Sequence, residues 1–101
     1  MVKRRVVVTG LGAVTPIGNN VRDVWESIEG SQSGINKITK FDASNYASQI
    51  AGEVKGFNAA DHLNVKDVRR TDTFIHFGLV AGMEALNDAG IEKHPNYAER
   101  V

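Results

Sequence analysis

The unbroken run of Val6, Val7 and Val8 constrains the fold of this chain more than any other stretch of its length. Stiff β-branched side chains favour extended backbone, so the run predicts a strand. Successive side chains of a strand point to opposite faces, and here both faces would be apolar. Such a strand needs cover on both sides, which is typical of a parallel or mixed sheet between helix layers and predicts an α/β fold.

Gly10 and Gly12 follow the valines and invite comparison with dinucleotide-binding loops. That fingerprint needs a third glycine at position 15, where Thr15 stands, and a helix that opens directly out of the glycines. Pro16 and Gly18 intervene, and no lysine follows to form a phosphate-binding P-loop. A tight turn leaving a strand is therefore the preferred interpretation, and a nucleotide-binding α/β fragment is a weaker alternative.

The charge balance and the absence of cysteine exclude several classes of function. Twelve basic and twelve acidic residues give zero formal net charge, so neither nucleic acid nor a membrane surface is a predicted partner. No apolar run reaches transmembrane length, and a cytoplasmic location is expected.

Without cysteine there is no disulfide, thiolate metal site or cysteine nucleophile. His62, His76 and His94 lack carboxylates at metal-ligand spacing, so no metal site is predicted.

An amphipathic helix is predicted after Asn20, which can cap it. Its apolar stripe consists of Val21, Val24, Trp25 and Ile28. Trp25 lies on this stripe and is interpreted as a core residue rather than a ligand-stacking one. Gly30 is expected at the C′ position, where the helix ends.

The next segment, residues 30–49, is polar and rich in turn-forming residues, and it predicts a surface loop. Asp42 is expected to form an Asx turn, with Phe41 and Tyr46 holding the loop against the body of the protein. A short strand is predicted over residues 50–54.

The longest predicted element is a helix over residues 71–89, which either Thr71 or Asp72 can cap. Apolar side chains cover most of its circumference, so a buried helix is expected. Gly78 and Gly82 lie four residues apart within it, and glycine is unfavourable in a helix interior. The pair therefore predicts close approach by another segment of backbone.

Positive charge is concentrated just before this helix in Lys66, Arg69 and Arg70. On a helix these positions are related by i+3 and i+4, so the three cations would share one face. A solvated surface is the preferred interpretation from the residues alone. Docking of an acidic partner is the functional alternative, since neighbouring like charges raise the local potential and the encounter rate.

Several stretches together resemble the β-ketoacyl-acyl-carrier-protein synthases, the condensing enzymes of the thiolase-like fold. They read VVVTGLGAVTPIGNNV at residues 6–21, GSQSGI and FDASNY within residues 30–46, and KDVRRTDTFIHFGLVAGMEALNDAGI at residues 66–91. They span most of the chain in the order found in that family. Ordered agreement of this extent is far more specific than the two glycines alone.

The resemblance implies an α/β chain that forms the N-terminal part of a layered α/β/α/β/α fold, incomplete in this chain. Residues 1–101 would be the N-terminal segment of the family's N-terminal domain. The intact enzyme is expected to carry an acyl group on a cysteine, assisted by two histidines, and to condense it with malonyl-acyl carrier protein. No catalytic, cofactor-binding or metal-binding residue can be assigned here, so the chain alone is predicted to be inactive.

The resemblance also implies partners. In the family the basic cluster belongs to the surface that receives acyl carrier protein, so Lys66, Arg69 and Arg70 are expected to dock it. Thr71 and Thr73 stand where many members carry methionine and arginine, so one potential cation of this surface is absent. Acyl- and malonyl-carrier proteins would be the substrates, and the intact enzyme would be a homodimer. A non-catalytic module for carrier-protein docking or dimerisation is the second hypothesis.

Overall fold

The computed structural model describes residues 3–91, which contain three α-helices, a 3₁₀ turn and a two-stranded sheet. The elements are α1 (Val21–Glu29), β1 (Ile35–Lys37), β2 (Ile50–Gly52), the 3₁₀ turn (Ala59–Asp61), α2 (Val65–Arg70) and α3 (Thr73–Ala89). No helix in this part of the chain has the length and apolarity needed to cross a membrane. His94, one of the three histidines considered for a metal site, lies outside the described residues.

The predicted strand at the three valines does not form. Residues 3–14 pair with no strand, and Val6, Val7 and Val8 are 93%, 69% and 79% exposed. The prediction of burial is wrong for the described structure. A strand needs a neighbour for its ladder and layers on both faces, and residues 3–91 supply neither to this segment.

The two glycines after the valines pack against the backbone of α3. A Cβ atom added at Gly10 would lie 2.2 Å from the Ala85 carbonyl oxygen, and one at Gly12 would lie 1.8 Å from the Ala81 carbonyl oxygen. Any side chain at either position would collide with the helix. The glycine pattern is therefore explained by close packing of a loop on a helix, as glycine allows.

The face of α3 that approaches another backbone differs from the predicted one. Around Gly78 and Gly82 an added Cβ would meet nothing within 4 Å, so the approach predicted there is wrong within residues 3–91. His76 and Val80 are buried on the packed side. Elsewhere on the helix Phe74, Leu79, Met83 and Leu86 are between 43% and 70% exposed. The helix is thus buried on one side only, because no described element covers the other.

The N-terminus of α1 forms as predicted, and its C-terminus is displaced by one residue. The Asn20 side chain accepts a hydrogen bond from the Asp23 N–H at 2.9 Å. Gly30 has φ −83°, whereas Ser31 has φ 54° and occupies the left-handed C′ position. Trp25 is 59% exposed, so its predicted place in the core is wrong, since no described element lies over it.

The strands β1 and β2 pair antiparallel, with Ile35 opposite Gly52, Asn36 opposite Ala51 and Lys37 opposite Ile50. The strand predicted over residues 50–54 is confirmed over its first three residues, whereas β1 was not predicted. A Cβ at Gly34 would lie 2.8 Å from Pro16 Cβ, and one at Gly52 would lie 3.0 Å from Pro16 Cγ. The small sheet therefore packs on the turn that precedes α1.

The loop between these strands contains the predicted Asx turn, in which the Ser44 N–H donates to Asp42 Oδ1 at 3.0 Å. The rings of Phe41 and Tyr46 meet edge to face with centroids 5.8 Å apart. Both rings are more than half exposed, so they contact each other and do not hold the loop to the body as predicted. Ala43 is the buried residue of this loop.

Candidate functional site

The basic cluster lies on α2, which is organised by hydrogen bonds at its ends. Asn64 Oδ1 accepts a hydrogen bond from the Lys66 N–H at 3.0 Å at the N-terminus. At the C-terminus the Thr71 hydroxyl donates to the Asp67 carbonyl oxygen at 2.5 Å. None of the six residues of α2 is buried. The helix is therefore held by local contacts more than by a core.

The structure brings Lys66, Arg69 and Arg70 together on one face. At 3.6 residues per turn the three positions fall within an arc of about 100° around the helix axis. All three side chains are exposed. Within residues 3–91 the single ion pair joins Arg22 to Glu26 at 3.3 Å, so no described carboxylate neutralises the cations. The predicted shared face is confirmed, and its role in docking stays a prediction.

The charge on this face suits an anionic surface. Arg69 and Arg70 lie in the last turn of α2, where cations interact favourably with the negative end of the helix dipole. Each guanidinium can bind a carboxylate or phosphate through two parallel hydrogen bonds, whereas Lys66 acts as a point charge. The half-buried Val68 lies on the other side of the helix, towards the protein. The arrangement can recognise charge but offers no acid, base or nucleophile.

Aromatic contacts join the segment before α2 to the body. The Phe57 ring stacks on His62 with centroids 5.9 Å apart and meets Phe77 of α3 edge to face at 5.1 Å. Asn58 caps the 3₁₀ turn by accepting a hydrogen bond from the Ala60 N–H at 3.2 Å. These contacts position the chain that enters α2.

Sequence reasoning missed a second set of polar contacts, made by two carboxylates of α3. Glu84 accepts hydrogen bonds from the Ala13 N–H at 2.9 Å and from the Val21 N–H, at the start of α1, at 3.1 Å. Asp88 accepts one from the Leu11 N–H at 3.0 Å. The available signal was two acids one helical turn apart in a largely apolar helix. They bind the N-terminal loop and α1 to α3 and have a structural role.

The described histidines form no site. His62 is exposed, whereas His76 is 8% exposed and its Nε2 atom has no hydrogen-bond partner in the described structure. No group of three His, Asp or Glu side chains within residues 3–91 could hold a metal ion.

Two carboxyl groups with lowered pKa values lie near the small sheet rather than on α2. The Thr39 hydroxyl donates to Glu53 at 2.8 Å and lowers the pKa of that carboxyl, assisted by the backbone N–H groups of Thr39 and Lys40. The Ser44 N–H lowers the pKa of Asp42 in the same way. Both carboxylates fix loop conformation by accepting hydrogen bonds.

A protein-family model matches nearly the whole chain. The sequence model described as "Beta-ketoacyl synthase, N-terminal domain" matches residues 3–101.

Curated relatives agree with this match. The chain is 46% identical over all of its 101 residues to a 3-oxoacyl-[acyl-carrier-protein] synthase 2 of Coxiella burnetii, covering 24% of that protein. Identity is 45% to the protein of the same name from Vibrio cholerae, with the same coverage of both chains. A Staphylococcus aureus protein of that name is 44% identical over 98 residues, 97% of this chain and 24% of that protein. The chain thus spans about a quarter of the length of these relatives.

A solved structure, the ishigamide ketosynthase/chain length factor, resembles the described chain with a TM-score of 0.76 and 29% sequence identity. The match covers 90% of this chain and 23% of that one. Agreement of shape and sequence over this span confirms the predicted fold class, an α/β chain that forms part of a thiolase-like fold.

Proposed function

The chain belongs to the β-ketoacyl synthase family, and we propose that it supplies the carrier-protein docking surface of a type II 3-oxoacyl-acyl-carrier-protein synthase. This would be a cytoplasmic, homodimeric enzyme that lengthens fatty acyl chains. Relatives with that name, which cover the whole chain at about 45% identity, support the proposal. The full-length synthase is a condensing enzyme that carries residues 1–101 as its N-terminal segment.

The proposed reaction is a decarboxylative Claisen condensation. An acyl group passes from its carrier protein to a cysteine thiolate of the enzyme, which splits a difficult step into two easier ones. Malonyl-carrier protein then loses carbon dioxide, and the electron pair of the broken C–C bond forms an enolate. The enolate attacks the thioester carbon, the thiolate leaves and 3-oxoacyl-carrier protein is released, while two histidines stabilise the developing negative charge. This chain has no cysteine and therefore does not itself supply that thiolate.

One observation carries the assignment of the docking surface, namely the uncompensated cationic face of α2. The chain as a whole has zero formal net charge, so the concentration of Lys66, Arg69 and Arg70 on one face is a local feature. The three side chains are exposed and have no carboxylate partner within residues 3–91. By family resemblance the carrier protein presents an acidic helix, and such complementary charge acts mainly on association rate and register.

Charge reversal on α2 tests the proposal. In the full-length synthase, Arg69→Glu or Arg70→Glu should raise the KM for carrier-linked substrates several-fold. The kinetics with small thioester analogues should be nearly unchanged, because these substrates do not use the cationic face. The matched control is Lys37→Glu, which makes the same change in net charge at an exposed cation of β1. Equal effects on carrier-linked and small substrates would refute the docking role.

Salt gives a second measurement of the same property. Exposed charges are screened over about 10 Å at 0.1 M ionic strength. The KM of the unaltered enzyme for carrier-linked substrates should therefore rise with added salt. The Arg69→Glu and Arg70→Glu variants should show a weaker dependence, since fewer attractive pairs are left to screen.

A non-catalytic module for docking or dimerisation is the second candidate. The exposed apolar side chains favour it, since Val6 is 93% and Phe74 is 70% exposed and a partner chain would cover such side chains. Reading the gene beyond codon 101 separates the two candidates. A frame that continues into segments with cysteine and histidine supports the condensing enzyme, whereas a stop codon supports the module.

The purified 101-residue chain should release no carbon dioxide from malonyl-carrier protein above a blank.

Nucleotide binding has little support from the geometry. The positions that a pyrophosphate would approach, beside Gly10 and Gly12, are filled by the backbone of α3. A paired turn, in which the Thr15 N–H donates to the Gly18 carbonyl oxygen at 2.8 Å, separates these glycines from α1. A titration with nucleotides should show no binding.

A further inference from the structure

We propose that Thr71 is a positioning residue for the cationic face of α2, an inference that rests on the proposed docking function. Thr71 directly follows Arg70 and has an extended backbone, with φ −122° and ψ 152°. Its hydroxyl donates a hydrogen bond of 2.5 Å to the Asp67 carbonyl oxygen, one helical turn back. The side chain thus closes the C-terminus of the helix on which the cations lie.

The helix needs such a contact because little else holds it. It has six residues, none of them buried. Helices shorter than about 12 residues are marginal in water without tertiary packing. The last four carbonyl groups of a helix also lack partners within it. Thr71 provides a partner for one of them, and Asn64 performs the equivalent task at the N-terminus.

Loss of the contact would act on the cations rather than on the whole protein. Arg69 and Arg70 lie in the last turn, where fraying begins. In a frayed turn they no longer share a face with Lys66. A partner that binds all three must then order the turn, which reduces the free energy of binding. A preformed face avoids that cost, because binding then loses less conformational entropy.

The contact depends on the hydroxyl group of Thr71 and not on the bulk of its side chain. Valine has nearly the same shape as threonine but no hydroxyl, and the thioether of methionine has no hydrogen to donate. Both variants are expected to fold, because Thr71 is only half-buried.

Three substitutions in the full-length synthase test the role of the hydroxyl. Thr71→Val and Thr71→Met remove the donor, and Thr71→Ser keeps it. Removal should raise the KM for carrier-linked substrates by about three- to tenfold, the range expected from one net hydrogen bond. The kcat should not change, nor should the kinetics with small thioesters, and the serine variant should match the unaltered enzyme. Equal KM values in all four proteins, or equal losses with both substrate types, would overturn the inference.

The same experiments separate this inference from the docking proposal. If Arg69→Glu and Arg70→Glu leave the KM for carrier-linked substrates unchanged, the docking function itself is wrong. If the reversals act but Thr71→Val and Thr71→Met do not, docking stands and only the positioning role fails. Amide hydrogen exchange in the full-length synthase adds a direct readout. In Thr71→Val the amides of α2 should exchange faster while those of α3 keep their protection.

Discussion

The helices α2 and α3 follow one another with only Thr71 and Asp72 between them, yet they are stabilised in different ways. The longer helix, α3, receives the loop glycines against its backbone and binds that loop and α1 through Glu84 and Asp88. The shorter helix, α2, buries no residue and depends on hydrogen bonds at its two ends. Tertiary contacts thus stabilise α3, whereas α2 carries exposed positive charge and is stabilised by local hydrogen bonds.

The largest expected effect lies where α3 meets the loop. Gly12→Ala would place a methyl group 1.8 Å from the Ala81 carbonyl oxygen. The collision should destabilise the 101-residue chain by about 3 kcal/mol or more, the upper range for overpacking. Urea unfolding followed by circular dichroism at low protein concentration measures this change.

The matched control for this substitution is Gly82→Ala, on the open side of α3. An added Cβ there meets nothing within 4 Å. Since alanine favours the helix over glycine, this change should stabilise the chain by up to about 1 kcal/mol. If both substitutions have the same sign, the contact between the loop and the helix is not the one described.

A smaller loss is expected from removal of the Glu84 carboxylate. Glu84→Ala leaves the Ala13 and Val21 N–H groups without their acceptor, which should cost about 2 kcal/mol in the same unfolding measurement. Asp88→Ala removes a single, exposed hydrogen bond to Leu11 and should cost about 1 kcal/mol. A larger loss at Asp88 than at Glu84 would contradict the central position given to Glu84.

Removal of the N-cap residues tests the difference between the two helices. Asn64→Ala removes the N-cap of α2, and Asp72→Ala removes that of α3, each worth about 1 kcal/mol. Hydrogen exchange should show the first loss only in the amides of α2. The second should lower protection throughout the part of the chain that packs on α3. Loss of protection across the whole chain in Asn64→Ala would show that α2 contributes to the global stability after all.

Local signals in the sequence predicted the helices well. Asn20 caps α1 as expected, and α3 is capped by Asp72, one of the two residues considered for that role. Capping depends on a few neighbouring atoms, so the local sequence is enough to predict it. The shared face of the cations follows from helical spacing in the same way. The three-residue strand β1 was missed because Asn36 and Lys37 give it no apolar alternation.

Burial could not be predicted from the residues alone. The valine run, Trp25 and the open side of α3 have the composition of a core, yet all are exposed within residues 3–91. An apolar pattern shows that a surface needs cover, but it does not show which segment provides it. The tertiary hydrogen bonds of Glu84 were missed for the same reason, because Ala13 and Val21 lie more than sixty residues away.

In the contact between the loop and α3, the spacing of alternate loop residues nearly equals the spacing of helix residues four apart. Two residues of extended chain advance about 6.6 Å, and four residues of α-helix advance about 6.0 Å. Gly10 and Gly12 accordingly meet helix positions four apart, and so do the amide groups of Leu11 and Ala13. A shift of the loop by one residue would point a leucine side chain at the helix backbone and turn both amide donors away from their carboxylates. We therefore expect that functional members of the family carry no insertion or deletion between the two glycines. Changes of length before Gly10 should leave the contact intact.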